Sequence, residues 1–222
     1  MRAKQAVSTL MDLIFPPRCI FCRAVIPSGA QICKKCDEEI QHINAVKSMN
    51  VPVAGKTISC AVPYSYDGQV RQSIIRFKFQ GQKQFAAFYA EKIGEQIQKS
   101  YGNLKFDAIT SVPISSKRRK LRGYNQSELI ARAVSKQINL PYRDYLRKVT
   151  DNKEQHKLCE MERRKNVRGV YRPLHEDEII GKKILLIDDI VTTGATLCEC
   201  VSVLFQSGAA EVACAAIAEV VL

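Results

Sequence analysis

One stretch constrains this chain more than any other. Residues 184–197 read Ile-Leu-Leu-Ile-Asp-Asp-Ile-Val-Thr-Thr-Gly-Ala-Thr-Leu. A short apolar run of this kind is a buried strand. It runs into two acids, then into a small hydroxyl-rich turn, then into a helix. The turn is built as a phosphate cradle: Thr192, Thr193, Gly194, Ala195 and Thr196 offer successive N–H groups and hydroxyls at a helix N-terminus. Gly194 lets the backbone come close to a ligand. Asp188 and Asp189, at the carboxyl end of the strand, can accept hydrogen bonds from sugar hydroxyls, and ligands of open α/β sheets bind at such strand ends. Neither Gly-Lys-Ser/Thr nor Gly-x-Gly-x-x-Gly accompanies the cradle, so it is neither a Walker A loop nor a dinucleotide fingerprint.

The surrounding pattern supplies the sheet. From residue 59 onward strands alternate with helices, which points to a parallel sheet flanked by helices. Strands are expected over 60–66, 106–112, 142–149, 183–188 and 212–220. Helices are expected over 68–79, 84–98, 125–137 and 196–206. Residues 150–172 read as polar, basic and irregular. Pro52 and Gly55 mark 46–58 as a linker. The organisation expected is a helix and zinc ribbon over 1–45, a linker over 46–58, and an α/β domain over 59–222.

The N-terminal segment rests on Cys19, Cys22, Cys33 and Cys36, spaced C-x2-C-x10-C-x2-C. Two such knuckles bring four thiolates within tetrahedral reach, as a structural zinc ion requires. An iron–sulfur cluster or a redox pair are the alternatives. All four positions are filled, so the metal folds a segment too small to fold by itself and leaves no open site for chemistry. The nine cysteines are an odd number, which argues against a simple disulfide framework. Val7, Leu10, Met11 and Ile14 give 3–14 the spacing of a short amphipathic helix. Asp12 and Pro16-Pro17 do not suit a secretory signal. No apolar run approaches the roughly 18 residues of a membrane span, so a cytoplasmic protein without membrane insertion is expected.

The net charge of +12 is concentrated. Residues 115–172 hold 17 Lys or Arg against 6 Asp or Glu, a net +11. Charge of one sign gathered in this way attracts polyanions, either nucleic acid or a phosphorylated small molecule, unless it is only a solvated surface.

The segment 187–196 resembles the phosphoribosyl pyrophosphate (PRPP) motif of type I phosphoribosyltransferases. The resemblance implies that Asp188 and Asp189 hold the ribose hydroxyls and act at the catalytic centre, and that residues 192–196 hold the 5′-phosphate. Residues 111–126, Ser-Val-Pro-Ile-Ser-Ser-Lys-Arg-Arg-Lys-Leu-Arg-Gly-Tyr-Asn-Gln, sit where that family has its pyrophosphate loop. Lys117, Arg118, Arg119 and Arg122 would then face the diphosphate, with Mg²⁺ helping to neutralise it. Residues 150–171, with Gln155, Arg163 and Asn166, resemble the flexible loop that closes over the substrate. Zinc ribbon, R-G-Y-N-Q, Q-x-x-L-x4-R-x-x-N-V-x-G and PRPP motif, in this order, match the ComF family over nearly the whole chain. That family is linked to competence, the uptake of single-stranded DNA in natural transformation. The resemblance implies PRPP and single-stranded DNA as ligands, with Arg163, Arg164 and Lys165 as candidate DNA contacts. It also names the competence helicase ComFA as a candidate partner, one that could recruit the protein to the inner face of the membrane.

A transferase of this kind lets a nucleophile displace pyrophosphate from C1 of the ribose, through a transition state with oxocarbenium character. The protein would contribute positioning and charge stabilisation. His156 is a weak candidate base, and His42 and His175 have no context that raises them above surface residues. No segment reads as a nucleobase hood, so the acceptor stays unassigned. Three functions remain open: a PRPP-binding transferase-like protein in DNA uptake, a metabolic transferase for a small acceptor, and a DNA-binding adaptor with a vestigial site.

Overall fold

The computed structural model describes residues 15–40, 42–51, 55–102, 104–150 and 169–221. The expected helix over 3–14 lies outside them. So do the loop residues Gln155, His156 and Asn166 and the DNA candidates Arg163, Arg164 and Lys165.

The described residues open with the two cysteine knuckles, the second of which starts a one-turn helix α1 (Lys34–Glu39). Two long strands follow, β1 (His42–Val51) and β2 (Lys56–Ser65), paired antiparallel with Val51 opposite Lys56. Most of the stretch expected to be a linker, 46–58, is therefore hairpin. Its Gly55, at φ +58°, belongs to the turn between two paired strands. Burial alternates along β1, with Ser48 and Asn50 exposed and Met49 and Val51 buried.

Helices α2 (Gly68–Phe79) and α3 (Phe85–Tyr101) precede strand β3 (Ala108–Ser111). Helix α4 (Ser116–Arg122) stands where a loop was expected. Its caps explain it: the Ser115 hydroxyl accepts from the Arg118 N–H at 3.3 Å, and Gly123, at φ +78°, ends the helix in the left-handed conformation. Helix α5 (Gln126–Gln137) is capped by Asn125. A small antiparallel pair, β4 (Leu146–Lys148) and β5 (Tyr171–Pro173), and a short helix α6 (Glu176–Ile179) lead to β6 (Lys183–Val191), α7 (Ala195–Gln206) and β7 (Glu211–Glu219).

The main sheet has the order β1-β2-β7-β6-β3, and every neighbouring pair after the first is parallel. Parallel strands are covered on both faces, and two apolar clusters do this here. One joins α2, α3 and α5 to Leu185, Ile187 and Ala215. The other joins α7 and the β4–β5 pair to Ile184, Leu186 and Cys214. The ribbon is part of the first cluster. Ile20, Phe21 and Ile26 are buried in it, and Phe21 meets Tyr64 and Phe88 edge-on at 5.7 and 5.5 Å between ring centroids. No described helix is long and apolar enough to cross a membrane.

Candidate functional site

The carboxyl ends of β3 and β6 open onto a cleft of about 430 Å³. Asp188 and Asp189 lie inside β6, not beyond its end: the strand continues to Val191, with Asp188 beside Ala216 and Val191 beside Glu219 of β7. Two acids are poor strand formers, and only the neighbouring strand carries the pairing through them. Asp188 is 8% exposed. One of its oxygens accepts from the Ser127 hydroxyl at 3.0 Å and from the Asp189 N–H at 2.8 Å. Burial, with the Asp189 carboxylate beside it, pushes the Asp188 carboxyl up to about 7. Asp189 is ion-paired with Lys78 of α2 at 2.9 Å.

The cradle follows at once. Gly194 takes φ +77° and caps α7, and Thr192 and Thr196 line the cleft. Thr193 turns its hydroxyl to the Ala195 N–H at 3.4 Å. The hairpin braces this turn. Lys47 of β1 donates to the Thr192 carbonyl at 2.9 Å and pairs with Glu219 at 3.4 Å. A Cβ added at Gly194 would stand 2.3 Å from the Met49 sulfur. Gly194→Ala combines that clash with a left-handed backbone costing roughly 1–2 kcal/mol for an L-residue. A loss of about 2 kcal/mol is expected after Met49 shifts, read as a fall of about 4–8 °C in melting temperature for a chain of this size. An unchanged melting temperature would mean the loop can abandon this conformation.

Of the four cations expected at the diphosphate, Arg118 and Arg122 line the cleft and Lys117 and Arg119 do not. Arg119 is ion-paired with Glu128. Arg122 lies over the Phe79 ring, 4.8 Å from its centroid, and reaches Gln126 at 3.3 Å. The sequence reading missed several residues of the same wall: Arg71, Lys78, Lys148, Ser127 and Tyr171. The one local sign was a charged residue between two aromatics, Phe77-Lys78-Phe79, at the end of an amphipathic helix. The cleft thus gathers two carboxylates, several cations and the threonines Thr192 and Thr196. A small polyanion that also carries hydroxyl groups suits that arrangement.

The second site is the cysteine cluster. The sulfurs of Cys19, Cys22, Cys33 and Cys36 all lie within 4.8 Å of one another, and Cys22 and Cys33 approach to 3.5 Å. A tetrahedral zinc tetrathiolate with bonds near 2.3 Å requires sulfurs about 3.8 Å apart, so the residues fit the ion.

Comparison with known proteins agrees with both parts of the fold. Residues 125–220 match the model of the phosphoribosyl transferase domain, and residues 10–47 match that of the double zinc ribbon domain. The chain is 26% identical over 219 residues to DNA utilization protein YhgH of Salmonella typhimurium, covering 90% of this chain and 96% of that one. It is 30% identical over 144 residues to Competence protein F of Haemophilus influenzae, covering 63% of each. Against Competence protein ComFC of Bacillus subtilis the identity is 28% over 147 residues, covering 66% of this chain and 58% of that one.

Proposed function

The chain belongs to the ComF family, a double zinc ribbon joined to a type I phosphoribosyltransferase fold, and from that premise we propose that it binds PRPP and acts on incoming single-stranded DNA in natural transformation. The observation that carries the reading is that Asp188, Asp189, Lys78, Arg118, Arg122, Thr192 and Thr196 line one cleft. The acids accept the ribose hydroxyls, the turn takes the 5′-phosphate, and the cations meet the diphosphate with its Mg²⁺. The names of the relatives supply the competence half of the proposal. The chemistry supplied is displacement of pyrophosphate from C1, or, with no acceptor seated, the sensing of PRPP as a ligand.

For DNA, the surface that favours contact is the outer side of α4. None of its residues is buried, and Lys117, Lys120 and Leu121 stand exposed beside the half-buried arginines of the cleft. Phosphate contacts of this kind give binding that weakens steeply with salt and reads little sequence. A cytoplasmic site of action belongs to the same proposal.

The test is isothermal titration of PRPP and Mg²⁺ into the full chain, with and without single-stranded DNA. Wild type is expected to bind. Asp188→Ala combined with Asp189→Ala is expected to abolish binding while the zinc content stays at one per chain. Unchanged PRPP affinity in the double variant would sink the assignment of the site.

A further inference from the structure

Helix α2 touches both the zinc ribbon and the ligand cleft. Near its start the Gln69 side-chain oxygen lies 2.9 Å from the Cys36 sulfur. Two turns later Arg76 directs Nη2 to the carbonyl oxygens of Ile20 and Phe21, both at 2.7 Å. Those two residues form the first knuckle, between Cys19 and Cys22. Two residues beyond Arg76, Lys78 holds Asp189. Arg71, Ile75 and Phe79 of the same helix line the ligand cleft, and Arg76 does not.

Arg76 is an unusual cation. It is 8% exposed, its Nε has no hydrogen-bond partner, and no carboxylate among the described residues pairs with it. A buried guanidinium is costly unless something nearby compensates it. Burial lowers its pKa and Arg23 adds to this, with Tyr89, Cys19 and Cys22 offsetting only part of it. Four thiolates around one zinc ion leave excess negative charge, and the metal also holds the knuckle so that both carbonyls stay aimed at Nη2.

We propose that Arg76 is a positioning residue that ties the zinc ribbon to the ligand cleft through α2, so that metal occupancy and binding in the cleft are thermodynamically linked. The ligand half rests on the PRPP reading above; the tie itself rests on the contacts of α2. When the metal leaves, the knuckle carbonyls swing off Arg76, the end of α2 loosens, and Lys78 no longer holds Asp189 in place. Linkage is reciprocal: whatever factor zinc contributes to ligand affinity, the ligand returns to zinc affinity.

Three measurements on the full chain test this. Hydrogen exchange is followed by mass spectrometry over 74–80 and 186–198, with zinc bound and after chelation. PRPP affinity is compared between wild type and Arg76→Met, which keeps the apolar stem and loses the donors. Zinc release to a chelator is timed with and without PRPP and Mg²⁺. Chelation is expected to speed exchange at 186–198 as well as in the ribbon. Arg76→Met is expected to weaken PRPP at least fivefold with zinc still bound, and PRPP to slow zinc release by a similar factor, within the usual range of coupling of about 5–150-fold. If the variant fails to fold, exchange in the wild type decides. Faster exchange confined to 15–40, or equal PRPP affinity in a zinc-loaded Arg76→Met, overturns the tie and leaves the PRPP site standing. Exchange at 186–198 that follows zinc in a wild type unable to bind PRPP does the reverse.

Discussion

Asp188→Asn is expected to melt higher than wild type at pH 8 and to bind PRPP at least tenfold more weakly. The carboxyl is buried inside β6, beside a second carboxylate, and is pushed up from 3.8 to about 7. Between those two values the folded chain holds a proton that the unfolded chain has released. Stability is therefore fully present below about pH 4, falls as pH rises toward 7, and stays reduced above it. At 1.36 kcal/mol per unit the ceiling is about 4 kcal/mol, and relaxation of the surroundings leaves about 1–3 kcal/mol to recover. Asparagine carries no charge and keeps a side-chain oxygen to accept from Ser127 and from the Asp189 N–H, the bonds the wild type makes. The gain is about 2–12 °C for a chain of this length.

The same substitution removes the charge that strengthens hydrogen bonds from ribose hydroxyls, each worth about 1.5–3 kcal/mol when one partner is ionised. Melting curves from pH 4 to 8 check the first half, and titration with PRPP and Mg²⁺ checks the second. The two proteins should converge toward pH 4. A difference in melting temperature that does not change with pH would show that Asp188 is ionised throughout. Stability and ligand binding oppose each other at this residue, as expected of a charge kept buried for a ligand to meet.

The acids themselves were legible in the sequence because their chemistry is local. A buried strand, two carboxylates, three threonines and a glycine sit within fourteen consecutive residues, and the fold places them together whatever surrounds them. Helix α2 was legible over its full length for a similar reason, through its apolar periodicity. Lys78 was not, because what gives it meaning is Asp189, 111 residues further along the chain. The hairpin was missed because β1 is an edge strand. Half of its residues face water, so its composition reads as linker, and Pro52 and Gly55 punctuate a hairpin as readily as a boundary. Its role in bracing the cradle through Lys47 and Met49 is tertiary, and no local pattern announces it. The basic run 117–122 shows the limit of counting charge. Its five cations lie together in sequence, yet helix geometry turns Arg118 and Arg122, four apart, into the cleft and sends Arg119 to Glu128.

Cys33→Ser is expected to release the zinc and to lower the melting temperature of the whole chain by about 10 °C or more. Cys33 does three things at once. Its sulfur belongs to the four-cysteine cluster, it accepts from the Cys36 N–H at 3.4 Å as the cap of α1, and it lies 3.5 Å from the Cys22 sulfur. A serine oxygen is a harder, weaker ligand for zinc than thiolate, so three thiolates hold the ion less well. Were the ribbon a separate bead on a linker, its loss would give a small early transition and leave the α/β domain unmoved. The packing argues otherwise. Phe21 stands between Tyr64 of β2 and Phe88 of α3, and Ile20 and Ile26 close the same cluster. Withdrawing a phenylalanine from a core costs about 3–5 kcal/mol, or roughly 6–20 °C in a chain of this size. The exposed face of α2 and α3 would also favour association. Calorimetry with zinc quantification checks the outcome: one main transition, shifted down, with less than one zinc per chain. Retention of a full equivalent of zinc would contradict the four-thiolate site, and an unmoved main transition after zinc loss would show that the ribbon contributes nothing to the core it touches.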